Sequence, residues 1–155
     1  MHLPHLSSFE KTPLLFLTVC SSRREEVLAN PVAHEILRNI WLRSAEKEGW
    51  FVGQYVVMPD HVHLMASPAR DACPLPKWMR LWKRASSRML NQAIGRQKSL
   101  WQADYFDRYL RSREDYEHKW AYVELNPVRR GLSASPAQWR YRGILYELRS
   151  RNARD

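Results

Sequence analysis

Hydrophobic and polar positions divide this chain into blocks with distinct periods. Leu14 to Cys20 (LLFLTVC) is a short unbroken apolar run, bounded by Pro13 and by Ser21, Ser22, Arg23 and Arg24, which predicts a buried strand. The pattern changes between Pro31 and Glu48, where Val32, Ile36, Leu37, Ile40 and Trp41 recur at three- and four-residue steps. Asn30 before Pro31 and Gly49 after the last turn mark the ends of a helix. Trp50 to Val57 and His61 to Ala66 are strand-like, and the spacer Met58, Pro59, Asp60 is short enough to join them as an antiparallel hairpin. Pro74 to Ile94 is periodic again, Gly95 to Ser99 breaks it, and Asp104 to Leu110 predicts a fourth strand. Ser112 to Leu125 predicts the last helix: Ser112 and Asp115 are spaced nearly as a capping box, and Pro127 and Gly131 close it.

The order strand, helix, strand, strand, helix, strand, helix, less its last helix, is the split βαββαβ arrangement of an α+β, ferredoxin-like fold. Such a fold has a single antiparallel sheet with helices on one face, here followed by a C-terminal helix. With 155 residues, 45% hydrophobic and 26% charged, the chain suits one domain over 1–155 with room for a core. It contains no internal repeat, low-complexity segment or linker. From Arg129 to Asp155 seven arginines face only Glu147 and Asp155, with Trp139, Tyr141 and Tyr146 interleaved. Residues 133–155 therefore read as a basic, aromatic tail that either packs or grips a polyanion.

Charge narrows the partners. Lysine plus arginine outnumber aspartate plus glutamate by 25 to 16, for a net charge of +9, which favours nucleic acid over an anionic membrane surface. The longest apolar run is far short of the roughly 20 residues of a bilayer span, and Met1 to Ser8 lacks a charged stretch followed by an apolar one. The expectation is a cytoplasmic, nucleoid-associated protein with no membrane partner. Cys20 and Cys73 share no CxxC spacing, which supports neither a disulfide framework nor a cysteine zinc site. Seven tryptophans, seven tyrosines and four phenylalanines serve either as core or as platforms for unpaired bases.

The candidate chemistry begins with His61 and His63. Residues two apart on a strand project from the same face, so two imidazoles converge while Val62 and Leu64 fill the other side. Two histidines on a rigid strand offer a divalent metal two ligands and leave positions open for a third ligand, water and substrate. The structural alternative is a pair of partly buried histidines held by backbone carbonyls. On the last helix, Tyr116, Trp120 and Val123 form the apolar stripe, and Tyr122 sits roughly 120° away from it. Lys119 and Asn126 share the face of Tyr122. On the functional reading Tyr122 is a nucleophile, Asn126 a third metal ligand through its carbonyl oxygen, and Lys119 a charge near phosphate or phenolate. The alternative is a surface tyrosine beside an asparagine turn. Pro127 pushes Asn126 away from helical dihedrals, so the Tyr122–Asn126 spacing is expected to break down at the end of the helix. In the stretch after Pro74, Lys77, Arg80, Arg84 and Arg88 fall on one stripe beside the apolar Trp78, Leu81, Trp82, Ala85 and Met89. The basic stripe either follows a phosphate backbone or is an ordinary solvated face.

Met58-Pro-Asp-His-Val-His-Leu and Tyr122-Val-Glu-Leu-Asn126-Pro-Val-Arg-Arg-Gly-Leu132, taken together, resemble the HUH single-tyrosine transposases, most closely the REP-associated tyrosine transposases of bacteria. Leu100-Trp-Gln-Ala-Asp-Tyr-Phe-Asp107 followed by Ser112 to Asp115 resembles the same family, so the likeness spans about Leu14 to Leu132. The resemblance implies a ferredoxin-like core, metal-dependent cleavage of single-stranded, hairpin-bearing DNA and a transient 5′-phosphotyrosine link. At matching positions it implies His61 and His63 as metal ligands, Tyr122 as nucleophile and Asn126 as third ligand, where insertion-sequence relatives often carry glutamine. Arg129 and Arg130 join the α-helical stripe as expected DNA contacts. The Trp139-Arg-Tyr-Arg-Gly143 stretch departs from the tryptophan-serine-serine pattern expected near the end.

Chemistry constrains the cofactor: histidine, amide oxygen and phosphate suit Mg2+ or Mn2+, whereas zinc prefers more nitrogen or sulfur. A tyrosine hydroxyl, with a reference pKa near 10, needs the metal, Lys119 or a polarised water to ionise. Monomeric and homodimeric forms both accommodate the motif. Two other functions remain open at this stage. One is a non-catalytic hairpin-binding protein derived from a transposase. The other is an aromatic-platform RNA binder, although the sequence carries HxH where that platform belongs.

Overall fold

A computed structural model describes residues 13–148. The elements run β1 (Leu14–Cys20), a 3-10 turn at Ser22–Arg24, α1 (Pro31–Lys47), β2 (Trp50–Val57), β3 (His61–Pro68), α2 (Leu75–Ile94), β4 (Phe106–Leu110), α3 (Arg113–Val123) and α4 (Asn126–Arg129). A 3-10 turn at Pro136–Gln138 and β5 (Arg142–Ile144) complete the chain. The sheet is antiparallel in the order β4-β1-β3-β2-β5, so the four predicted strands take the ferredoxin-like order and a fifth extends the β2 edge. Local chemistry sets the ends of the helices. Asn30 caps α1 by accepting from the Ala33 N–H, and Ser112 caps α3 by accepting from the Asp115 N–H.

The two faces of the sheet are covered by different helices. Leu15, Leu17 and Val19 of β1 and Val62, Leu64 and Ala66 of β3 pack against Leu37 and Trp41 of α1 and Trp78, Met79 and Trp82 of α2. Leu14 and Phe16 of β1 and Met65 of β3 pack on the opposite face against Tyr116, Trp120 and Val123 of α3. Strand alternation thus puts Val62 among the α1 and α2 residues and turns His61 and His63 toward the α3 side. On α1 the fully buried line is Ala33, Leu37, Trp41 and Ser44, while Val32, an expected core position, is exposed.

Aromatic content resolves mainly into core. Trp50 and Trp78 stack with centroids 4.8 Å apart, and Trp82 lies edge-on to both Trp41 and Trp101. These rings and Trp120 are all buried. Ser44 and Ser86 are buried as acceptors for the Trp78 and Trp101 indole N–H groups.

The part of the basic tail that is described packs. The Val57 N–H donates to the Tyr141 carbonyl, Trp139 Nε1 donates to the Val57 carbonyl, and Arg142–Ile144 pairs with β2. Leu148 is buried, and its nearness leaves no room for a side chain at Gly53, where a Cβ would lie 2.7 Å from Leu148 Cδ1. Gly53 sits where the β2–β3 register shifts, between Val52 and Tyr55. Residues 149–155 of the tail and Met1 to Ser8 lie outside the described residues. Among the described residues no helix is long and apolar enough to cross a membrane.

Candidate active site

The hairpin between β2 and β3 and the turn following α3 meet at the two histidines. His61 Nε2 and His63 Nε2 stand 3.1 Å apart with their rings nearly perpendicular. The opposite nitrogen of each ring is committed elsewhere. His61 Nδ1 lies 2.7 Å from Asp60 Oδ1, and His63 Nδ1 lies 2.8 Å from Thr18 Oγ1, which sits directly across the β1–β3 ladder. Such outer partners hold imidazoles in one orientation, as around metal-ligating histidines generally.

The turn after α3 supplies the next contact. Its Asn126 Nδ2 lies 2.8 Å from His63 Nε2, and its Oδ1 accepts from Arg129 Nη2 at 3.1 Å. α3 ends at Val123, but the departure from helical geometry expected at Asn126 does not occur. Glu124 and Leu125 keep right-handed helical dihedrals, and a new helical turn begins at Asn126 with Pro127 in its first positions. The chain therefore keeps close to the helical path that the Tyr122–Asn126 spacing requires.

Lys119 approaches from α3, and Tyr122 is linked to the site through Arg129. Lys119 Nζ lies 4.6 Å from the Phe16 ring centroid, and Phe16 stacks on His63 at 5.4 Å, so ammonium, phenyl and imidazole are layered. Tyr122 is 62% exposed. The Arg129 guanidinium lies 3.9 Å from the Tyr122 ring centroid and donates to the Tyr122 carbonyl. Arg129, expected on DNA, thus joins Tyr122 to Asn126. Arg130, also expected on DNA, is engaged with Asp60 Oδ1 at 3.0 Å.

Electrostatics keep both histidines neutral. Burial pushes the His61 pKa down even against the Asp60 carboxylate, which favours the charged ring. Burial, together with repulsion from His61, Lys119, Arg129 and Arg24, pushes His63 down to about 3. Burial alone raises the Asp60 carboxyl, but hydrogen bonds from His61, Arg24 and Arg130 outweigh it and hold Asp60 well below the usual carboxylate range. An ionised Asp60 only accepts, so the His61 proton belongs on Nδ1 and its Nε2 lone pair faces His63. With the Asn126 amide in this orientation, Nδ2 donates to His63 Nε2 and that atom presents a lone pair as well. Two lone pairs meeting at 3.1 Å form an arrangement that a cation relieves, and neutral imidazole is the form that ligates metals. The donor set therefore fits a divalent ion at the two Nε2 atoms. Asn126 fits as an oxygen ligand once its amide is turned over, an exchange of O and N that gives up the bond its Oδ1 accepts from Arg129 Nη2. Among the described residues, no group of three or more His, Cys, Asp or Glu is disposed around a metal position, so the histidine pair and the amide carry this fit alone.

Arg24 and Thr18 are site residues that sequence reasoning missed. Thr18 left one signal, as the polar residue inside an otherwise apolar strand run. Arg24, which binds Asp60 Oδ2 at 3.0 Å from 36 positions away, left none. Asp60 itself was visible only as a carboxylate adjoining a candidate ligand.

The α2 stripe lies on the other side of the sheet. Lys77, Arg80, Arg84 and Arg88 are exposed. Arg80, Arg84 and Arg88 line a groove of about 600 Å³ between α2 and residues 99–105, with Trp101 and Tyr105 on its far wall. Lys83 donates to the Gln102 and Ala103 carbonyls and pins that wall to the helix.

Comparison with known proteins decides the family. Residues 15–125 match the family described as "Transposase IS200 like". The chain belongs to the IS200-like transposase family. The family match covers the histidine pair and Tyr122 and stops just before Asn126. The chain is similar to the REP-associated tyrosine transposase of Escherichia coli (strain K12), at 25% identity over 126 residues, 80% of this chain and 72% of that protein. It is similar in structure to a REP-associated tyrosine transposase bound to a REP hairpin, with a TM-score of 0.66 and 25% identity over 85% of this chain and 76% of that one. A putative transposase from Deinococcus radiodurans R1 shares the fold, with a TM-score of 0.54 and 24% identity over 73% of this chain and 89% of that one. The resemblance to REP-associated tyrosine transposases read from the two motifs is met, and this IS200-like chain carries their mixed α/β fold.

Proposed function

We propose that this IS200-like transposase is a metal-dependent single-stranded DNA endonuclease and strand transferase, acting on hairpin-associated DNA through a 5′-phosphotyrosine intermediate. The observation that carries the reading is the 3.1 Å approach of His61 Nε2 to His63 Nε2, closed on one side by Asn126 from the turn that follows Tyr122. In the first step the Tyr122 phenol loses its proton and its oxygen attacks phosphorus. The bond to the 3′ oxygen breaks, leaving phosphotyrosine at the 5′ end and a 3′-hydroxyl that has taken up a proton. Attack by the 3′-hydroxyl of another strand reverses these bond changes and frees Tyr122, so no nucleotide cofactor is consumed. Lys119 and Arg129 place positive charge beside the histidines and the Tyr122 ring, where the phenolate and the phosphate oxygens develop negative charge. His61, His63 and Asn126 would hold Mg2+ or Mn2+, which neutralises charge on the non-bridging oxygens when bound.

DNA binding is assigned to the exposed Lys77, Arg80, Arg84 and Arg88 on the opposite face. A relative of known structure is bound to a REP hairpin, and a hairpin long enough to reach both faces suits this separation of grip and chemistry. Denaturing electrophoresis after mixing the protein with labelled hairpin DNA and Mn2+ tests the reading. A protein–DNA adduct with the wild type and none with Tyr122→Phe supports it. Binding by the wild type with no adduct under Mg2+ or Mn2+ makes the protein a non-catalytic hairpin binder instead.

A further inference from the structure

The carboxylate of Asp60 is the point at which three separate parts of the chain converge on His61. Asp60 is 6% exposed, yet both of its oxygens are occupied. Oδ1 accepts from His61 Nδ1 at 2.7 Å and from Arg130 Nη1 at 3.0 Å, and Oδ2 accepts from Arg24 Nε at 3.0 Å. Its backbone is fixed too, since the Asp60 carbonyl accepts from the Ser21 N–H at 2.9 Å and from Ser21 Oγ at 3.1 Å.

Each arginine arrives by a distinctive route. Arg23 and Arg24 are the positive-φ non-glycine residues among those described, at 55° and 54°, a backbone conformation that side chains with a Cβ rarely adopt. A chain holds such strain only where its surroundings over-determine it, and here the strained turn presents Arg24 to Asp60. Arg130 closes the α4 turn that also carries Asn126, and its second nitrogen lies 3.9 Å from Glu26 Oε1. One turn therefore reaches both histidines: His63 directly through Asn126, and His61 through Arg130 and Asp60.

We infer that Asp60 is a positioning residue whose carboxylate, clamped by Arg24 and Arg130, fixes His61 in the Nδ1–H tautomer and aims its Nε2 at His63 Nε2. The inference rests on the proposed metal-dependent reading for what the aimed lone pair does, and on hydrogen-bond geometry alone for the tautomer. An acceptor on one ring nitrogen decides which nitrogen remains free to ligate. Arg24 and Arg130 act through Asp60, holding its two oxygens so that the carboxylate cannot rotate away from the ring.

Two measurements on the full chain test this. Long-range proton–nitrogen correlation spectra of the metal-free protein report the His61 tautomer, and Mn2+ titration followed by the paramagnetic resonance of free Mn2+ reports affinity. The wild type is expected to show His61 as Nδ1–H. Asp60→Ala is expected to lose that preference and to bind Mn2+ about 10–100-fold more weakly. Asp60→Asn offers the ring an amide N–H as well as an oxygen, so it is expected to weaken the Nδ1–H preference that the acceptor-only carboxylate imposes. Arg130→Gln alters a partly exposed side chain, keeps the fold if Asp60→Ala does not, and is expected to weaken Mn2+ binding in the same direction by a smaller factor. An Nε2–H tautomer in the wild type overturns the inference. So does an unchanged tautomer in folded Asp60→Ala, or unchanged Mn2+ affinity in Arg130→Gln. Loss of the tautomer in Asp60→Ala with no Mn2+ binding by the wild type supports the clamp and overturns the metal reading.

Discussion

Asn126 Nδ2 lies 2.8 Å from His63 Nε2, tying the turn after the tyrosine helix to the central strand of the sheet. This contact fixes where α3 ends relative to the histidines, and with it the placement of Tyr122 one turn earlier. Arg129 holds the amide from its other side through Oδ1 and covers the Tyr122 ring with the same guanidinium. The residues proposed as third ligand and nucleophile are thus coupled through one side chain.

His61→Ala and His63→Ala are each expected to abolish cleavage while DNA binding persists, because the α2 arginines lie across the sheet from both rings. The stability costs differ in origin. His61→Ala leaves the Asp60 carboxylate with Arg24 and Arg130 as partners and creates a small void, whereas His63→Ala removes a stacking partner from Phe16 and an acceptor from Asn126. Loss of a buried hydrogen-bond partner costs about 1–3 kcal/mol, so both variants should melt earlier yet remain folded at 25 °C. Circular dichroism, a hairpin-binding titration and a cleavage assay together check this. Cleavage by either folded variant with Mn2+ present places the metal elsewhere.

Much of the architecture was legible because it is written in local period. The apolar run of β1, the three- and four-residue steps of α1 and α2, and the Met58–Asp60 spacer all correspond to observed elements. β5 was not legible, since Arg142–Ile144 is three residues without alternation and exists through its pairing with Gln54, Tyr55 and Val56. The aromatic residues could have been core or base platform, and only packing shows that Trp50, Trp78, Trp82 and Trp101 form a buried cluster. In the site, residues sharing a strand or a helix turn were readable as a group, because backbone geometry alone puts His61 beside His63. Contacts that span the chain, such as Thr18 with His63 and Arg24 with Asp60, depend on register and turn conformation that no local pattern encodes.

Charge reversal of Arg80 and Arg84 to glutamate is expected to weaken DNA binding across sequences and to flatten its dependence on salt. Each lost phosphate contact lowers the slope of log affinity against log salt by roughly one unit. Both side chains are exposed and line the groove beside α2, so the fold should be unaffected. Fluorescence anisotropy with hairpin DNA at several salt concentrations measures the slope, and an unchanged slope makes this stripe an ordinary solvated face.

His34 gives a pH dependence separate from the site. Its Nε2 lies 2.7 Å from the fully buried Tyr55 hydroxyl, which also accepts from Arg38 Nη1 at 3.2 Å. With Arg38 donating, the hydroxyl proton points to His34, which must then be neutral to accept it. Burial, with Arg38 nearby, lowers the His34 pKa below its usual value. The unfolded chain, with its histidine near about 6.5, therefore binds more protons than the folded one below that pH. Stability is present in full above the unfolded value and is lost as pH falls through the folded one. His61 and His63, whose pKa values are also lowered, act in the same direction, so the test is a difference: the melting temperature of His34→Gln should fall less between pH 7 and pH 5 than that of the wild type. Parallel curves for the two proteins rule out a neutral His34 as the source.

The decisive prediction concerns Tyr122, which is exposed, lies beneath Arg129 and stands between Lys119 and Asn126 on the chain. It should become covalently joined to the 5′ end of cleaved DNA, so that mass spectrometry of the digested adduct finds the nucleotide on the peptide containing Tyr122. Tyr122→Phe removes one oxygen from an exposed ring and keeps the surface that Arg129 covers, so it should fold and bind hairpin DNA as the wild type does and give no adduct. Tyr116 is the internal control on the same helix. It is buried, and its hydroxyl donates to Gln54 Oε1 at 2.9 Å, so Tyr116→Phe should lose about 1 kcal/mol of stability and still form the adduct. Tyr105 and Tyr109, whose phenols are pushed up by burial and by nearby Asp107, are poorer nucleophiles at neutral pH. A nucleotide recovered on Tyr105, Tyr109 or Tyr116 would move the nucleophile away from the histidine pair, and an adduct that survives in Tyr122→Phe would do the same.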